Sequence, residues 1–269
     1  MSDFLQNMAI GSAERAAAVK TTFSSADFDK PVVALTPGDF DVIAEIKERS
    51  PAEGALKSAT HNRVEQAQRY SAGGALAISV LTEPSRFDGD LAHLEEVAAA
   101  VPTTPVMRKD FLVEAVQVHE ARKAGASGVL LIATMLSDAT LREMLDTAWQ
   151  HNMFVLLESF DEEDLARSAR LLDNAADMDR ATAGQLLFGV NTRNLRTLEV
   201  DSNRLKNLAP MLPQARCVAE SGLKVAADAA KVAGYGYCAA LVGTALMRSD
   251  DPAELIAAMR RAGSREVAA

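Results

Sequence analysis

Short apolar runs recur along the chain at intervals of roughly 20 to 35 residues, and turn-forming residues bound each of them. Continuous apolar runs of this kind are typical of parallel strands that are covered on both faces. The runs are VIAEI (42–46), ALAISVL (75–81), PVMR (105–108), GVLLIA (128–133), MFVLLE (153–158), QLLFGVN (185–191), ARCVAE (215–220) and YCAALVG (237–243). They predict eight strands.

Amphipathic helical patterns lie between these runs, with apolar residues three, four and seven positions apart. The patterns are Leu91, Leu94 and Ala98; Leu141, Leu145 and Ala148; Leu165, Ala169 and Leu172; and Leu255, Met259 and Ala262. Ser137 and Asp161 are suitable N-cap residues for two of these helices, and Asp251-Pro252 marks the start of the last one.

Eight strand–helix units in 269 residues predict an α/β fold of the (β/α)8 type, a TIM barrel that forms one domain over residues 1–269. A doubly wound open sheet is the alternative, and it usually carries a glycine-rich phosphate turn after its first strand. Here the first strand runs into KERSPAEG. The segment 234-GYGYCA-239 lies between a helix and a strand, which is the wrong order for a dinucleotide turn.

Two further segments do not belong to the repeating units. Residues 1–40 precede the first strand and predict an extra N-terminal helical segment that caps the barrel. The polar insertion 173-DNAADMDRATAG-184 connects a helix to a strand, so we expect it at the end of the barrel away from the catalytic face. A solvated loop is favoured there over a metal site.

Composition narrows the class of protein. Hydrophobic residues make up 48% of the chain and charged residues 24%, as in ordinary globular proteins, and the net charge of −9 argues against nonspecific nucleic-acid binding. No apolar run is long enough to span a membrane, and no signal peptide is recognisable. Cys217 and Cys238 lack metal-ligand spacing and fit buried thiols in a reducing cytoplasm. We therefore expect a cytoplasmic protein without nucleic-acid or membrane partners. A monomer is the working expectation, although the sequence does not give the oligomeric state.

Charged residues inside the first apolar run suggest where the chemistry lies. Catalytic groups of TIM barrels sit at the carboxyl ends of the strands, and Glu45 and Lys47 occupy that position. Residues two apart on a strand share a face, so the two side chains can pair, which lowers the cost of burying them. Taken alone, a structural ion pair explains them equally well. The other strands end in more polar residues: Lys109, Glu158, Asn191 with Arg193 just beyond, and Glu220. Their convergence favours a catalytic site.

The loops after the seventh and eighth strands carry Ser221-Gly222 and Gly243-Thr244. TIM barrels often bind phosphate at these two loops through backbone N–H groups, which glycine allows to approach an oxyanion closely. Lys47 can add a positive charge. The four histidines, His61, His93, His119 and His151, lie in or beside helical segments, so surface or interface roles are favoured for them. The remaining groups suit cofactor-free acid–base chemistry on a sugar phosphate.

Seven stretches of the chain, in this order, resemble the indole-3-glycerol-phosphate synthase family of tryptophan biosynthesis: IAEIKERSPAEG, AISVLTEPSRFDG, PVMRKDF, VLLES, GVNTRNLRTLEVD, AESGL and LVGTALMRSDDP. The resemblance covers most of the chain from Val42 to Pro252. It implies the substrate 1-(2-carboxyphenylamino)-1-deoxyribulose 5-phosphate. Ring closure, decarboxylation and dehydration of this substrate give indole-3-glycerol phosphate, without a cofactor.

The resemblance also implies residue roles. Lys109 would be the general acid at the ribulose carbonyl, and Glu158 the base or proton relay in the dehydration. Lys47 would hold the substrate and share the acid role, and Glu45 would orient it. Asn191 and Arg193 would act around the anthranilate carboxylate and the hydroxyls. Substrate-binding residues would be Ser50, Ser221, Gly222, Gly243 and Thr244, chiefly at the phosphate, and Pro51, Phe87, Phe111 and Leu130, around the aromatic ring.

Two pKa shifts are expected for this mechanism. A second lysine nearby would lower the pKa of the lysine donor, and partial burial would raise the pKa of a carboxylate base. Three alternatives stay open. The first is another sugar-phosphate barrel such as the isomerase of the same pathway, and the second is an aldolase that forms a Schiff base through one lysine. The third is a barrel that binds a phosphorylated ligand without catalysis.

Overall fold

The structure, a computed structural model, describes residues 3–19, 22–50, 54–55, 62–193, 201 and 203–264. Two residues that the sequence singled out, Pro51 and His61, lie outside this part of the chain, and the side chain of Ser50 is not described.

Eight parallel strands form a closed barrel within the described residues. They are β1 (Asp41–Ile46), β2 (Ala77–Leu81), β3 (Val106–Lys109), β4 (Gly128–Ile132), β5 (Phe154–Ser159), β6 (Leu186–Asn191), β7 (Cys217–Glu220) and β8 (Ala239–Val242). Each strand pairs with the next, and β8 pairs back with β1, where Ala239 lies opposite Asp41. This closure confirms the predicted TIM barrel and is incompatible with the open doubly wound sheet.

The helices lie between the strands along the chain. They are α1 (Asp3–Ala18), α2 (Arg63–Ala72), α3 (Pro84–Phe87), α4 (Leu91–Ala100), α5 (Ala115–Ala124), α6 (Asp138–Gln150), α7 (Glu162–Ala169), α8 (Ala175–Thr182), α9 (Arg204–Leu208), α10 (Ala226–Ala233), α11 (Thr244–Met247) and α12 (Pro252–Gly263). Ser137, Asp161 and Asp251 accept hydrogen bonds from the backbone N–H groups of residues 140, 164 and 254, so the three predicted N-caps are confirmed.

Alternation along the strands divides the apolar residues between two clusters. In β1, Val42, Ala44 and Ile46 belong to the larger cluster, which the strands share with the surrounding helices. Ile43 belongs to the second cluster, which fills the barrel interior together with residues such as Leu156. Continuous apolar runs arise because the strands are covered on both faces.

The segment 173–184 does not form the predicted solvated loop. Residues Ala175–Thr182 form α8, with Asn174 as its N-cap. Asp177 is buried, and its carboxylate lies 2.6 Å from Arg142 Nη1 on α6. The polar composition therefore misled the prediction, because the segment is a helix that this ion pair links to α6. Leu172 likewise falls in a 3-10 turn, Arg170–Asp173, instead of the regular helix.

The other local expectations agree with the structure. Gly234 is the C-cap of α10, so 234–239 is a helix-to-strand connection as predicted. Cys217 is buried and Cys238 is half-buried, and both are free thiols. Two short strands, Arg49–Ser50 and Gly54–Ala55, pair antiparallel after β1. Among the described residues, we find no helix that combines the length and hydropathy needed to span a bilayer.

The N-terminal segment forms the predicted helix, α1, and packs at the carboxyl ends of the barrel strands. Leu5 and Met8 are buried in the cluster that contains Phe111 and Phe160, which follow β3 and β5. The Phe4 ring contacts the Phe111 ring edge-on at 5.9 Å. Apolar burial therefore places α1 beside the ends of the strands where the polar residues are clustered.

The connector between α1 and β1 crosses α5 and the end of α6. The Phe28 ring lies 4.4 Å from the His151 ring, and the Phe23 ring lies 5.2 Å from the His119 ring. His119 Nδ1 and His151 Nε2 are 2.8 Å apart and share one hydrogen bond, so these facing nitrogens cannot both carry protons. Burial lowers the pKa of both histidines, and with the charges of His119 and Arg122 it lowers the pKa of His151 to about 4.

We expect the protein to lose stability as the pH falls from about 6.5 to about 4. The folded-state pKa of His151 lies below its ordinary value of 6.5, so the unfolded chain takes up the proton first. The loss should be on the order of 1 kcal/mol, because the half-exposed ring is partly screened by solvent. Urea unfolding at several pH values measures it. His151→Gln should flatten this part of the curve, and parallel curves for the two proteins would contradict the assignment.

Candidate active site

Three charged side chains meet at the carboxyl ends of β1 and β3. Lys47 Nζ lies 2.5 Å from Glu45 Oε2, and Lys109 Nζ lies 3.7 Å from Glu45 Oε1. Glu45 is buried, whereas the two lysines keep 14% and 18% of their side-chain surface exposed. The predicted pair of Glu45 and Lys47 therefore forms, and Lys109 completes an ion cluster whose ammonium groups face the mouth.

The pKa of Glu45 reflects this pairing. Burial alone would raise it, but the charges of Lys47 and Lys109 and their hydrogen bonds outweigh burial and lower it below the ordinary value. Glu45 is therefore ionised across the neutral pH range and keeps both ammonium groups in place.

The pKa of Lys109 moves in the direction opposite to the one expected from the sequence. Burial would lower it, but the charges of Glu45, Glu158 and Glu220 outweigh burial and raise it. The expectation that a second lysine would lower this pKa was wrong. Three carboxylates surround Lys109, and the charge of Lys47 is balanced by Glu45.

A second group lies at the ends of β5 and β6. Asn191 Nδ2 donates to Glu158 Oε1 at 3.2 Å, and the backbone N–H of Arg193 donates to Asn191 Oδ1 at 2.9 Å. The Asn191 amide is thereby oriented with its NH2 group toward the carboxylate. Glu158 Oε2 is buried and accepts from none of the donors in the described part of the chain, and the Glu158 carboxylate lies beside the carboxyl group of Glu220.

Glu220, at the end of β7, is the least compensated group of the site. It is 1% exposed, and neither of its carboxylate oxygens has a hydrogen-bond partner among the described residues. Burial, followed by the charge of Glu158, raises its pKa well above the ordinary value. A raised carboxyl pKa therefore occurs at Glu220, whereas the residue expected to be the base is Glu158.

Two glycines, Gly189 on β6 and Gly243 directly after β8, make room for these carboxylates. A Cβ on Gly189 would lie 2.0 Å from Glu220 Oε1, and a Cβ on Gly243 would lie 2.1 Å from Glu45 Oε2. Any larger residue at either position would displace a charged side chain of the site. Gly243 thus serves the ion cluster as well as the loop after β8.

The loops after β7 and β8 are neighbours because these two strands pair. Ser221 and Gly222 both adopt the left-handed conformation, with φ of 67° and 82°, which turns the chain sharply at the strand end. That conformation is costly for serine and free for glycine. Thr244 begins α11 directly after Gly243. The predicted phosphate-binding residues therefore lie on adjacent loops at the mouth.

The predicted aromatic slot is partly assembled. The Phe87 and Phe111 rings are 6.1 Å apart, and Leu130 belongs to the same buried cluster as Phe111. Pro51 lies outside the described residues. Sequence reasoning missed Phe4, which adds a third ring from α1. No pattern in the sequence indicated it, because only tertiary packing brings α1 to the mouth.

Ser79 was also missed. It lies on β2 opposite Glu45 of β1, is fully buried, and has a hydroxyl without a partner among the described residues. Its signal was visible as a polar residue inside ALAISVL, in register with Glu45. The three histidines that are described, His93, His119 and His151, lie on helices or helix ends, as expected. No group of three metal-binding side chains occurs in the described ranges.

Two lysines, three carboxylates and an amide thus lie at the carboxyl-end mouth of a TIM barrel, which is where enzymes of this fold carry their catalytic groups. The closed strand order also agrees with solved structures. The crystal structure of 3-hexulose-6-phosphate synthase from Salmonella typhimurium superimposes with a TM-score of 0.62, covering 83% of this chain and 98% of that one. At 16% sequence identity, this similarity concerns the fold alone.

Sequence comparison is more specific. The model of the indole-3-glycerol phosphate synthase family matches residues 5–259. An indole-3-glycerol phosphate synthase of Rhodococcus jostii (strain RHA1) is 42% identical over 251 residues, which are 92% of this chain and 88% of the relative. One from a Nocardioides species (strain ATCC BAA-499 / JS614) is 45% identical over 212 residues, 78% of this chain and 76% of the relative. This chain belongs to the indole-3-glycerol phosphate synthase family.

We expect Gly243→Ala to lower kcat/KM by about 100-fold, because the new methyl group displaces Glu45 and Lys47 from their pairing geometry. Steady-state kinetics with the family's substrate measures the loss. Gly11→Ala is the control, since its Cβ would meet only Arg15 Nη1 at an ordinary 3.9 Å. Equal activity of the two variants would show that the mouth tolerates the extra volume.

We expect Glu220→Gln to become more stable relative to wild type as the pH rises from about 5 to 8. A folded-state pKa raised above the unfolded value means that stability is lost as the buried carboxyl ionises, and the amide cannot ionise. The gain should reach ~1–3 kcal/mol, while activity falls. Urea unfolding at the two pH values measures it. Glu254→Gln, on exposed α12, should show no such trend, and a constant difference for Glu220→Gln would refute the shift.

Proposed function

We propose that the residues at the barrel mouth catalyse the reaction of the indole-3-glycerol phosphate synthase family. The enzyme is a carboxy-lyase of tryptophan biosynthesis and acts on a small sugar-phosphate substrate. It forms the five-membered ring of indole from 1-(2-carboxyphenylamino)-1-deoxyribulose 5-phosphate. Carbon dioxide and water are released, and the product is indole-3-glycerol phosphate. The observation that carries the residue assignment is the convergence of Lys47 and Lys109 on buried Glu45, facing Glu158 and Glu220.

In this proposal, Lys109 is the general acid of ring closure. Its raised pKa keeps it protonated at neutral pH, so it can donate to the ribulose carbonyl oxygen as the aromatic carbon attacks. Glu45 holds the ammonium group in position. Lys47 binds the substrate through its positive charge and shares the acid role.

Glu158 acts as the base or proton relay of the dehydration. One of its oxygens is oriented by the Asn191 amide, and the other is buried without a partner and ready to accept a proton. Asn191 and Arg193 act around the anthranilate carboxylate and the substrate hydroxyls. Glu220 contributes a carboxyl group whose raised pKa favours its protonated form and thereby a role in proton transfer.

The phosphate end of the substrate binds to polar loops, and its aromatic end binds to apolar side chains. The phosphate is held by the loops that carry Ser221, Gly222, Gly243 and Thr244, with Ser50 contributing from the loop after β1. The aromatic ring binds in the apolar slot of Phe87, Phe111 and Leu130, and Pro51 is a further ring-binding residue in this proposal. We propose that residues 1–40 cap the single barrel domain, so that α1 helps to exclude water from the mouth.

Oligomeric state, cofactor use, partners and cellular compartment complete the proposed function. We propose a monomeric enzyme that uses no cofactor and has no nucleic-acid or membrane partner. Free thiols at Cys217 and Cys238 support a reducing compartment, the cytoplasm. The raised pKa of Lys109 argues against the Schiff-base aldolase alternative, because a nucleophilic lysine must lose its proton.

The decisive experiment mixes purified protein, EDTA and the carboxyphenylamino-deoxyribulose phosphate and follows indole fluorescence. We expect the fluorescence to rise with the wild-type protein. For Lys109→Ala, we expect the rate of this rise to be about 100- to 10,000-fold lower, because the proton donor is lost. Lys231→Ala, on the exposed surface of α10, should keep wild-type activity.

Other outcomes separate the alternatives. Binding of the substrate without a fluorescence rise would favour the non-catalytic barrel. An adduct trapped by borohydride at either lysine would favour the aldolase. Loss of activity with EDTA, restored by a divalent cation, would contradict the proposal that no metal is used.

A further inference from the structure

One side chain of α1 reaches from the helix to two loops of the barrel mouth. Arg15 Nη2 lies 2.8 Å from Asp110 Oδ1, and Arg15 Nη1 lies 3.9 Å from Glu83 Oε1. Both carboxylates are buried, with at most 1% of their side-chain surface exposed, whereas Arg15 keeps 30%. A guanidinium between two buried carboxylates is therefore unlike an exposed surface ion pair.

Asp110 belongs to the segment that carries the proposed general acid. It directly follows Lys109 and precedes Phe111. Its carboxylate accepts a hydrogen bond from the backbone N–H of Phe111 at 2.8 Å. Its other oxygen accepts from the Thr82 hydroxyl at 2.9 Å and from Arg108 at 3.2 Å. The carboxylate therefore keeps three donors without Arg15, so the fold of this segment does not depend on the helix.

Glu83 belongs to the segment that carries a ring of the proposed aromatic slot. Its carboxylate caps α3 by accepting from the backbone N–H groups of Ser85 and Arg86 at 2.8 and 2.7 Å. α3 ends at Phe87. Arg15 thus joins the segment that orients Phe87 to the segment that orients Lys109 and Phe111.

Other contacts hold α1 on the barrel without Arg15. Leu5 is fully buried, and Gln117 on α5 donates to the Ser12 hydroxyl at 2.9 Å. Phe4 packs edge-on against Phe111. Removing the guanidinium should therefore leave α1 in place and break the link between Glu83 and Asp110, while Thr82 still joins the ends of β2 and β3.

We infer that Arg15 is a positioning residue for the synthase reaction, because it ties Glu83, which caps the helix of Phe87, to Asp110, which follows the acid Lys109, beyond the link that Thr82 makes at the strand ends. The inference rests on the proposed function. Arginine suits the role because its planar guanidinium presents five donors in a rigid fork and can serve two carboxylates at once. A lysine ammonium is a point charge on a flexible stem and would serve one of them well.

The test compares Arg15→Met and Arg15→Lys with wild type in the fluorescence assay. We expect Arg15→Met to lower kcat/KM about tenfold with a clear rise in KM, because the helix that carries Phe87 loses its link to the segment after Lys109. Arg15→Lys should recover only part of the loss. A purely structural role would lower kcat through partial unfolding at constant KM. Arg261→Met, which removes an exposed ion pair with Glu254, is the matched control and should behave as wild type.

A double-mutant cycle tests the route through Asp110. Asp110→Asn keeps the size of the side chain and an acceptor oxygen but removes its charge. If Arg15 acts through Asp110, adding Arg15→Met to Asp110→Asn should change KM less than twofold. Full additivity of the two changes would overturn this route.

The outcomes distinguish this inference from the function on which it rests. If wild type converts the substrate and Arg15→Met keeps its kcat and KM, the inference is wrong and the proposed function stands. If wild type does not convert the substrate, both are wrong. A rise in KM for Arg15→Met at unchanged thermal stability supports both.

Discussion

The buried ion cluster of Glu45, Lys47 and Lys109 is the interaction around which the barrel mouth is arranged. Burying one carboxylate with two ammonium groups carries a desolvation penalty of several kcal/mol per ion, and close pairing must offset it. The lowered pKa of Glu45 and the raised pKa of Lys109 show that pairing outweighs burial for both partners. Glu45 therefore acts as the fixed anion that keeps Lys109 charged at the carboxyl end of an apolar barrel.

The other carboxylates of the mouth complete the charge balance at a cost in stability. Glu158 and Glu220 add negative charge beside Lys109, and Glu220 is buried without a hydrogen-bond partner in the described part of the chain. An uncompensated buried carboxyl responds by raising its pKa. Such strained groups are expected where catalysis needs them, because packing alone would favour apolar side chains. Gly189 and Gly243 belong to this arrangement, because the absence of a Cβ at each position leaves space for a carboxylate.

The N-terminal segment connects the mouth to the outside of the barrel. α1 contributes Phe4 to the aromatic cluster and Arg15 to the two buried carboxylates beside it, and the connector that follows packs on the histidine pair of α5 and α6. These contacts are distributed over a helix, an aromatic cluster and several hydrogen bonds. The segment is therefore integrated with the barrel although it precedes the repeating units.

Much of the fold and most of the site were readable from the sequence, because both depend on local order along the chain. Apolar periodicity predicts strands and helices, parallel strands end at one rim, and so the polar residues at the strand ends, from Glu45 to Glu220, had to converge. Through-space effects could not be read in this way. The direction of the Lys109 pKa shift depends on three carboxylates from three other strands, and the roles of Gly189, Ser79, Phe4 and Arg15 depend on which atoms packing brings within a few ångströms. The polar segment that became α8 needed an ion pair with Arg142 that only the folded chain provides. Sequence by itself determined the eight strands of the barrel and the polar residues at their ends, and tertiary structure decided the charge balance and the contacts of the mouth, because electrostatics and packing depend on distances in space.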